Sequence, residues 1–354
     1  MINIDFYMKV AELKRELMKG RALDKKYVVD KFEQFRSKDP VIYNIETTNV
    51  CNMRCVMCAR TTKMTRQMNT LDMDIYKRVV EQIKPFPQDL WAKWKKFVVD
   101  YYGIRPDEMG ENHFFLYVIA KSIVMHGFGE PLLDPKIAER IRFLSEKNIP
   151  SYFSCNPANI HIDKVLEIFE SGLDYFKLSI DSVDDDRQRK VRGDASGFTG
   201  NYKKIIRLLD EKKEHGYKTT VVLTMLNLNI GNAAEEFEKL KKLFEGRPVY
   251  LYFKCPDNQW YRGTKQATKA IHWLEFCQAP WSTLSIQANG DISACGAEDY
   301  NGELIVGNAQ HETLADAWNS GKFRKFREDH FNVNKEIKCA EECDMRLIGE
   351  LVKN

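Results

Sequence analysis

Three cysteines on one short segment are the residues of this chain with the clearest capacity for chemistry. Cys51, Cys55 and Cys58 form a C-x3-C-x2-C triplet directly after an apolar stretch. Three thiolates can hold three corners of a cubane [4Fe-4S] cluster, whereas a closed structural metal site normally has four ligands. The spacing therefore predicts a cluster whose fourth iron is open to another ligand. The alternatives are a zinc loop completed by a distant ligand and buried apolar thiols without a ligand.

Four further cysteines near the C-terminus form two separated pairs. Cys277 and Cys295 bound a segment that alternates apolar and polar residues around Asn289-Gly290, which predicts a β-hairpin. Cys339 and Cys343 form the second pair. Two pairs of thiolates suit a complete four-coordinate site, which could hold either zinc or an iron-sulfur cluster.

Six short apolar stretches alternate with amphipathic segments from residue 41 onwards, and this alternation predicts parallel βαβ units. The predicted strands are Val41–Glu46, Ser122–Met125, Ser151–Ser154, Tyr175–Ile180, Thr219–Leu223 and Val249–Phe253. From periodicity alone, an open barrel and a doubly wound sheet fit equally well, and the cysteine triplet favours the barrel. Ligands of both folds bind at the carboxyl ends of the strands, where the triplet falls.

Two segments stand outside this alternation. Residues 1–40 carry apolar side chains at helical spacing and predict an N-terminal helical cap. Residues 85–120 separate the first helix of the core from the second strand, with a helical pattern from Leu90 to Tyr101. The favoured interpretation of this insertion is an amphipathic helix packed outside the barrel, and the alternative is a lid over a substrate.

The triplet, at this spacing and after a strand, resembles the radical S-adenosylmethionine (radical SAM) superfamily. In that family the open iron takes the amino and carboxylate groups of SAM, and one electron from the cluster cleaves SAM to a 5′-deoxyadenosyl radical. The segment Gly127–Glu130 is similar to the family's GGE motif with its middle glycine shifted, which implies that Glu130 accepts a hydrogen bond from the SAM amino group. The resemblance implies further SAM contacts at Asn156, Ser179, Asp181 and Arg192.

The residue types suit these SAM contacts, because a hydroxyl and a carboxylate can bind a ribose diol and a guanidinium can pair with a carboxylate. Simpler explanations also exist. Taken singly, Asp181 is explained as well by a turn cap and Arg192 by a surface ion pair. Their convergence with the other motifs at the carboxyl ends of the strands favours a shared ligand.

The C-terminal cysteines resemble the auxiliary-cluster extension that is called SPASM in its full form and twitch in its shortened form. The matching features are the C-x12-G-x4-C spacing through Gly290, Pro280-Trp281, and the segment 317–326. A full SPASM domain offers additional cysteines for a second auxiliary cluster. This chain has only Cys339 and Cys343 in that region. The resemblance therefore implies one auxiliary [4Fe-4S] cluster, and its ligands would be Cys277, Cys295, Cys339 and Cys343.

The expected fold is α/β, a partial (β/α)6 TIM-like barrel with a small C-terminal α+β cluster-binding domain. Three regions are expected: the N-terminal helical cap over residues 1–40, a radical SAM core over residues 41–254 with the insertion at about 85–120, and a SPASM/twitch-like auxiliary cluster domain over residues 255–354. The resemblance covers residues 41 to about 345, so the cap and the insertion are not explained by it.

Composition narrows the partners and the compartment. The 354 residues are 44% hydrophobic, and 54 basic and 51 acidic side chains leave a net charge of +3. This balance predicts no nucleic-acid or membrane partner. Met1–Gly20 mixes charges into its apolar positions, unlike a secretory leader, so the nine cysteines predict a reducing, cytoplasmic location. Cys155 is expected to be a buried apolar residue, and Cys255 is a possible additional cluster ligand.

The resemblance implies a radical SAM oxidoreductase that oxidises a small polyol, amino sugar or similar metabolite and passes an electron to the auxiliary cluster. Its electron donor would be a flavodoxin- or ferredoxin-type protein. Residues 1–40 are too short for the leader-binding domain of many peptide maturases, which favours a small substrate. The alternatives are a redox-neutral epimerase or dehydratase, a ribosomal-peptide maturase and, least favoured, a non-catalytic iron-sulfur or zinc-binding protein. Four candidate proton acceptors or donors stay unranked: His126, Asp134, Tyr252 and Asp257.

Overall fold

The computed structural model describes residues 1–17, 25–228, 232–254, 277–296 and 299–332. Its strands are β1 (Ile42–Ile45), β2 (Ile123–Val124), β3 (Ser151–Cys155), β4 (Tyr175–Ser179), β5 (Thr220–Leu226), β6 (Val249–Lys254), β7 (Leu284–Ile286), β8 (Asp291–Ser293) and β9 (Ile305–Asn308). They form one nine-stranded sheet in the order β6-β5-β4-β3-β2-β1-β7-β8-β9. All six strands predicted for the barrel are confirmed, with boundaries within a few residues.

Helices connect these strands. They are α1 (Ile4–Leu17), α2 (Lys25–Phe35), α3 (Ala59–Thr62), α4 (Met73–Glu81), α5 (Gln88–Phe97), α6 (Glu111–His113), α7 (Ile137–Glu146), α8 (Ile162–Glu170), α9 (Asp185–Arg192), α10 (Phe198–Glu214), α11 (Ala233–Leu243), α12 (Ala279–Ser282), α13 (Leu314–Asn319) and α14 (Gly321–Phe331). Two π-helical turns, Val98–Tyr102 and Phe114–Ile119, continue α5 and α6. Short 3-10 turns at Pro131–Leu133 and Pro157–Asn159 follow β2 and β3.

Strands β1 to β6 pair in parallel, and each has an outer face and an inner face. In β5, Val221, Leu223 and Met225 are fully buried in the main core with the helices, whereas Val222 belongs to a separate inner cluster. The alternation follows from the period of two residues along a strand. Within the described residues β6 pairs only with β5, so the sheet stays open and forms the expected partial barrel.

The hairpin predicted around Asn289-Gly290 is confirmed as β7 and β8, which pair antiparallel. Gly290 has a φ of 86° at the turn, a left-handed conformation that favours glycine. Strand β7 pairs in parallel with β1 on the side away from β2. The C-terminal cysteine segment therefore extends the barrel's own sheet and does not form a separate layer.

The N-terminal helices pack against the C-terminal part of the chain. Phe6 of α1 and Phe32 of α2 form a fully buried cluster with Trp281 of α12. The ring centroids of Phe32 and Trp281 lie 5.7 Å apart, and the Trp281 indole donates a hydrogen bond to Glu33 at 2.8 Å. These two helices therefore connect the N-terminal residues to the segment that leads into the hairpin.

The insertion differs from its favoured interpretation in its second half. Trp94 of α5 packs with Ile2 and Ile4 outside the barrel, as expected. Phe114, in contrast, packs against Tyr152 and Tyr252 on the inner face of the sheet, with ring centroids 5.4 and 5.1 Å away. An outside helix was therefore wrong for this half, because the inner face of the open barrel offers aromatic side chains that need a partner.

No helix in the described ranges is both long enough and apolar enough to cross a membrane.

Candidate functional site

The cysteine triplet lies on the loop between β1 and α3, at the carboxyl end of the parallel strands. All three side chains are partly buried. The Cys58 amide donates to the Cys55 carbonyl at 3.1 Å, and the Met53 amide approaches the Cys51 sulfur at 3.4 Å. Val56 anchors the loop to α9 through a 3.0 Å bond to the Val191 carbonyl. The loop is therefore held in place by backbone hydrogen bonds.

The donor set, three thiolates on one short loop, suits a cubane cluster. Among the described residues, no group of three or more His, Cys, Asp or Glu side chains is arranged to hold one ion. A cubane takes each thiolate at a separate iron, so its three ligands need not converge. Burial raises the pKa of Cys51 to about 11 and also raises that of Cys58. The positive charge of bound iron would stabilise the ionised thiolates against this effect of burial.

The glycine-rich segment lies directly beneath the cysteine loop. The Glu130 amide donates to the Val50 carbonyl at 2.8 Å, one residue before Cys51. A Cβ atom added to Gly129 would overlap the carbonyl of Thr48. The two loops are thus in backbone contact, and only glycine permits that approach at position 129.

Glu130 is buried beside this contact. Its carboxylate accepts hydrogen bonds from the Asn156 amide at 2.9 Å and from the Leu132 amide at 3.2 Å. Burial raises the pKa of Glu130 to about 7, although these two bonds oppose the shift. A buried carboxylate at this position suits the predicted contact with the amino group of SAM.

We expect the SAM affinity of the iron-loaded protein to weaken as the pH falls below about 7, because Glu130 then takes up a proton and loses its charge. Glu130→Gln should bind SAM about 10-fold more weakly at neutral pH, since it removes a charged hydrogen bond, and should lose this pH dependence. SAM dissociation constants measured across pH test both expectations. Glu139→Gln, at a half-exposed carboxylate on α7, is the control. An equal pH slope in Glu130→Gln would contradict the assignment.

Asn156 and Ser179, two further predicted SAM contacts, lie at the ends of β3 and β4. The Asn156 side-chain oxygen accepts from the Ala158 amide and from the Ser196 hydroxyl, both at 2.9 Å. Its amide nitrogen is buried and has no hydrogen-bond partner within the described ranges. A buried donor without an acceptor is costly, so it suits a ligand atom. Ser179 is buried, with its hydroxyl 3.3 Å from that of Ser154.

Asp181 and Arg192 form an ion pair beside the triplet. Asp181 is buried after β4 and accepts the Arg192 guanidinium, while its other oxygen accepts from the Leu226 amide at 3.2 Å. A second guanidinium nitrogen of Arg192 lies 3.9 Å from the Cys55 sulfur. The surface ion pair considered for Arg192 is thus wrong, because Asp181 is buried and only 16% of the Arg192 side chain is exposed beside the cysteine loop.

Sequence reasoning missed a buried pair that joins three parts of the site. Both oxygens of Glu46, at the end of β1, accept the Arg66 guanidinium, at 2.8 and 3.0 Å. Glu46 also accepts from the amides of Phe128 in the glycine-rich loop and of Ala288 after β7. Arg66 further donates to Gln287 at 3.0 Å. Buried opposite charges twenty residues apart leave no periodic pattern in a sequence.

The auxiliary cysteines Cys277 and Cys295 are both partly buried. The Cys277 amide lies 3.0 Å from a ring nitrogen of His330, and the Cys295 amide donates to the Ser293 hydroxyl at 3.2 Å. Gly296 packs so closely on Asn44 of β1 that a Cβ atom would overlap it. The other proposed ligands, Cys339 and Cys343, lie outside the described residues, as do Cys255 and Asp257.

The remaining proton-transfer candidates within the described residues lie in different environments. Asp134 is fully buried in an ion pair with Arg140 of α7 at 2.8 Å, away from the inner face. His126 lies at the end of β2, where burial and the charge of Lys177 lower its pKa to about 3. Tyr252 faces the barrel interior, and burial raises its pKa. Neither His126 nor Tyr252 is suited to take up a proton at neutral pH.

Comparison with known proteins agrees with this arrangement. The sequence matches the Radical SAM superfamily over residues 45–244 and SPASM, an iron-sulfur cluster-binding domain, over residues 277–344. No curated protein matches the sequence. The structure of SuiB from Streptococcus suis bound to S-adenosylmethionine has a TM-score of 0.53 at 14% identity, covering 96% of this chain and 81% of that chain. That similarity shows the fold.

A second solved structure, BtrN in complex with AdoMet and 2-DOIA, has a TM-score of 0.48 at 15% identity and covers 87% of this chain and 96% of that chain. The first family match spans more than half of the chain and includes the triplet, the glycine-rich segment and the Asp181–Arg192 pair. It implies a SAM-binding [4Fe-4S] cluster and SAM itself, and the second match implies auxiliary iron-sulfur binding. The chain belongs to the radical SAM superfamily and carries a SPASM iron-sulfur cluster-binding domain.

Proposed function

We propose that this enzyme is an oxidoreductase that removes two hydrogens from a small polyol, amino sugar or similar metabolite. When bound, the first cluster and SAM supply a 5′-deoxyadenosyl radical, and the auxiliary cluster supplies a one-electron acceptor. Cys51, Cys55 and Cys58 hold the first cluster. Five side chains bind and orient SAM, and two of them are buried carboxylates: Asn156, Ser179, Arg192, Asp181 and Glu130.

The observation that carries the proposal is the position of Cys295 beside the barrel. Cys295 follows β8, which belongs to the same sheet as β1. Its neighbour Gly296 packs on Asn44, and the Asn44 amide donates to the His126 carbonyl at the mouth of the barrel at 3.2 Å. An auxiliary cluster at this place would be fixed next to the substrate space, as an electron acceptor needs to be.

The inner face supports a small substrate. Phe114 and neighbouring apolar residues of the insertion already cover Tyr152 and Tyr250 on that face. Tyr250 is held there by hydrogen bonds to the backbone of Gly110, at 2.8 and 3.1 Å. This packing covers part of the inner face with side chains of the insertion, which supports a small substrate rather than an extended peptide.

An external electron donor of the flavodoxin or ferredoxin type completes the proposal. Val56, on the cysteine loop, is 53% exposed, and Arg54 two residues earlier is also exposed. An exposed apolar residue beside a cation suits a transient contact with an acidic partner. This surface lies on the loop that would hold the first cluster.

The proposal is tested with anaerobically reconstituted enzyme, dithionite, SAM and a panel of inositols, aminocyclitols and amino sugars. We expect one panel compound to lose two hydrogens, with 5′-deoxyadenosine formed in equal amount. A product of unchanged mass would indicate a redox-neutral epimerase. Consumption of none of the panel would overturn the small-molecule assignment and favour a peptide substrate.

Replacement of the auxiliary cysteines distinguishes the roles of the two clusters. Cys277→Ser/Cys295→Ser should still release 5′-deoxyadenosine, because the first cluster is untouched, but should lose the oxidised product. The yield of oxidised product per 5′-deoxyadenosine is the measured quantity. Cys155→Ser, at a buried cysteine in the main core, is the matched control. An unchanged product yield in the double variant would show that the auxiliary site takes no electron.

A further inference from the structure

One lysine on the inner face of the barrel has no role in the site described above. Lys177 lies in β4 between Phe176 and Leu178, which are fully buried in the core on the outer face. It therefore points to the inner face, together with Ser179 two residues later. Lys177 therefore lies one inward-facing position before Ser179, further from the carboxyl end of β4 than this predicted SAM contact.

The ammonium group of Lys177 makes no hydrogen bond and no ion pair with any residue that the structure describes. It lies 5.6 Å from the ring centroids of both Phe114 and Tyr252. Lys177 is partly buried, and contact with two aromatic faces compensates only part of the cost of withdrawing its ammonium group from water. Such a costly arrangement is typical of a functional group that awaits a ligand.

Charged and titratable groups face Lys177 from every side. They are His126 at the end of β2, Glu111 on α6, Asp181 after β4, Arg192 on α9, and Tyr252 and Lys254 on β6. Asp181 is already paired with Arg192, and His126 adds no charge at neutral pH. The cations Lys254 and Arg192 repel a charge on Lys177 and so favour its neutral amine.

We propose that the Lys177 amine is the proton acceptor for the oxidation, and that the substrate group it meets is a hydroxyl on the carbon that loses its hydrogen atom. This inference rests on the proposed function. The other candidates are unsuited: Asp134 is paired elsewhere and Glu130 already accepts two backbone amides. Lys177 thus becomes a catalytic residue.

The step balances as follows. The C–H bond of the carbinol breaks, and its hydrogen atom goes to the 5′-deoxyadenosyl radical to give 5′-deoxyadenosine. The hydroxyl proton goes to the Lys177 nitrogen, one electron goes to the oxidised auxiliary cluster, and the C=O bond forms. The substrate loses two hydrogens in total, and the protonated Lys177 returns its proton to solvent.

The pKa of Lys177 agrees with this role. Burial, followed by the charges of Lys254 and Arg192, lowers the pKa of Lys177 to about 7, against the opposing effect of Glu111 and Asp181. A group with a pKa near the working pH is an effective general base, because it is partly neutral and still basic.

The first test compares Lys177→Met and Lys177→Arg with wild type on the panel compound that wild type oxidises. Methionine keeps the length of the chain, and arginine keeps a cation that cannot take up a proton. We expect the oxidised product per 5′-deoxyadenosine to fall about 100-fold in both variants. Wild-type product yield in Lys177→Arg would overturn the proposal, because a fixed positive charge would then suffice.

Lys121→Met is the matched control. Lys121 also lies over two aromatic rings, those of Trp91 and Tyr175, at 5.8 and 5.7 Å, but at the other end of the strands. We expect its product yield to equal that of wild type. A comparable loss in Lys121→Met would show that disturbing any lysine-aromatic contact lowers the yield, and would overturn a specific role of Lys177.

The second test needs no substrate. The rate at which acetic anhydride labels Lys177 in the iron-loaded enzyme is followed by peptide mass spectrometry as the pH is varied. We expect a midpoint near pH 7, and a midpoint near the ordinary lysine value of about 10.4 would overturn the proposal. If wild type oxidises none of the panel, the proposed function fails, and this midpoint alone decides whether Lys177 accepts protons at neutral pH.

Discussion

The triple variant Cys51→Ala/Cys55→Ala/Cys58→Ala is expected to release no detectable 5′-deoxyadenosine from SAM. The three thiolates are the ligands that this loop offers to the cluster that must deliver the electron. The measurement is chromatographic detection of 5′-deoxyadenosine from anaerobic enzyme with dithionite and SAM. This is the largest effect that the proposed site predicts.

Its control is Cys155→Ala. Cys155 is buried in the apolar core at the end of β3. We expect this variant to cleave SAM as wild type does, with at most a small loss of stability from the missing sulfur. Continued 5′-deoxyadenosine release by the triple variant would contradict the assignment of the first cluster.

Glu46→Gln is expected to have the second largest effect. The Glu46 and Arg66 side chains are only 3% and 8% exposed, and their bidentate contact joins β1, the glycine-rich loop and the hairpin. Glutamine keeps the shape but leaves a buried guanidinium without its counter-charge. Breaking a buried pair in this way costs about 3–5 kcal/mol of the free energy of unfolding. The urea concentration at half-unfolding, followed by tryptophan fluorescence, measures this loss.

An exposed ion pair provides the matched control. Lys84 and Asp39 lie 3.2 Å apart with 82% and 64% of their side chains exposed. Asp39→Asn should therefore cost at most about 1 kcal/mol, because water screens that pair. Equal losses in Asp39→Asn and Glu46→Gln would contradict a structural role of the buried pair.

The strands, the hairpin and the cysteine loop could be predicted because each is encoded locally. Strands such as β5 are apolar runs bounded by turn residues, and the hairpin is marked by Asn289-Gly290. The partial barrel followed from the order of these elements together with the triplet. These features need no knowledge of distant contacts.

The placement of the hairpin could not be predicted. Strand β7 pairs with β1, more than two hundred residues earlier, and no local pattern reports such a pairing. The position of the second half of the insertion could not be predicted for the same reason. From the sequence alone, Phe114 fits the apolar side of an outer helix equally well. Only the tyrosines on the inner face of the assembled sheet decide its position.

Two charged groups of the site were missed for a related reason. Charged residues such as Lys177 and Glu46 ordinarily face solvent, so neither is expected from the sequence to be buried within the site. Glu46 is instead buried and Lys177 partly buried by elements that come from other parts of the chain. A charged residue inside an apolar strand was the one available signal for Lys177, and it gains meaning only once the inner face is known.

The most direct test of the two-cluster account is the iron, sulfide and zinc content of the anaerobically reconstituted protein, combined with EPR of its reduced form. Two [4Fe-4S] clusters predict about eight irons per chain in wild type and about four in the Cys51/Cys55/Cys58 variant. About four irons with one zinc in wild type would contradict the account, because no cluster would then be present to accept the substrate's electron.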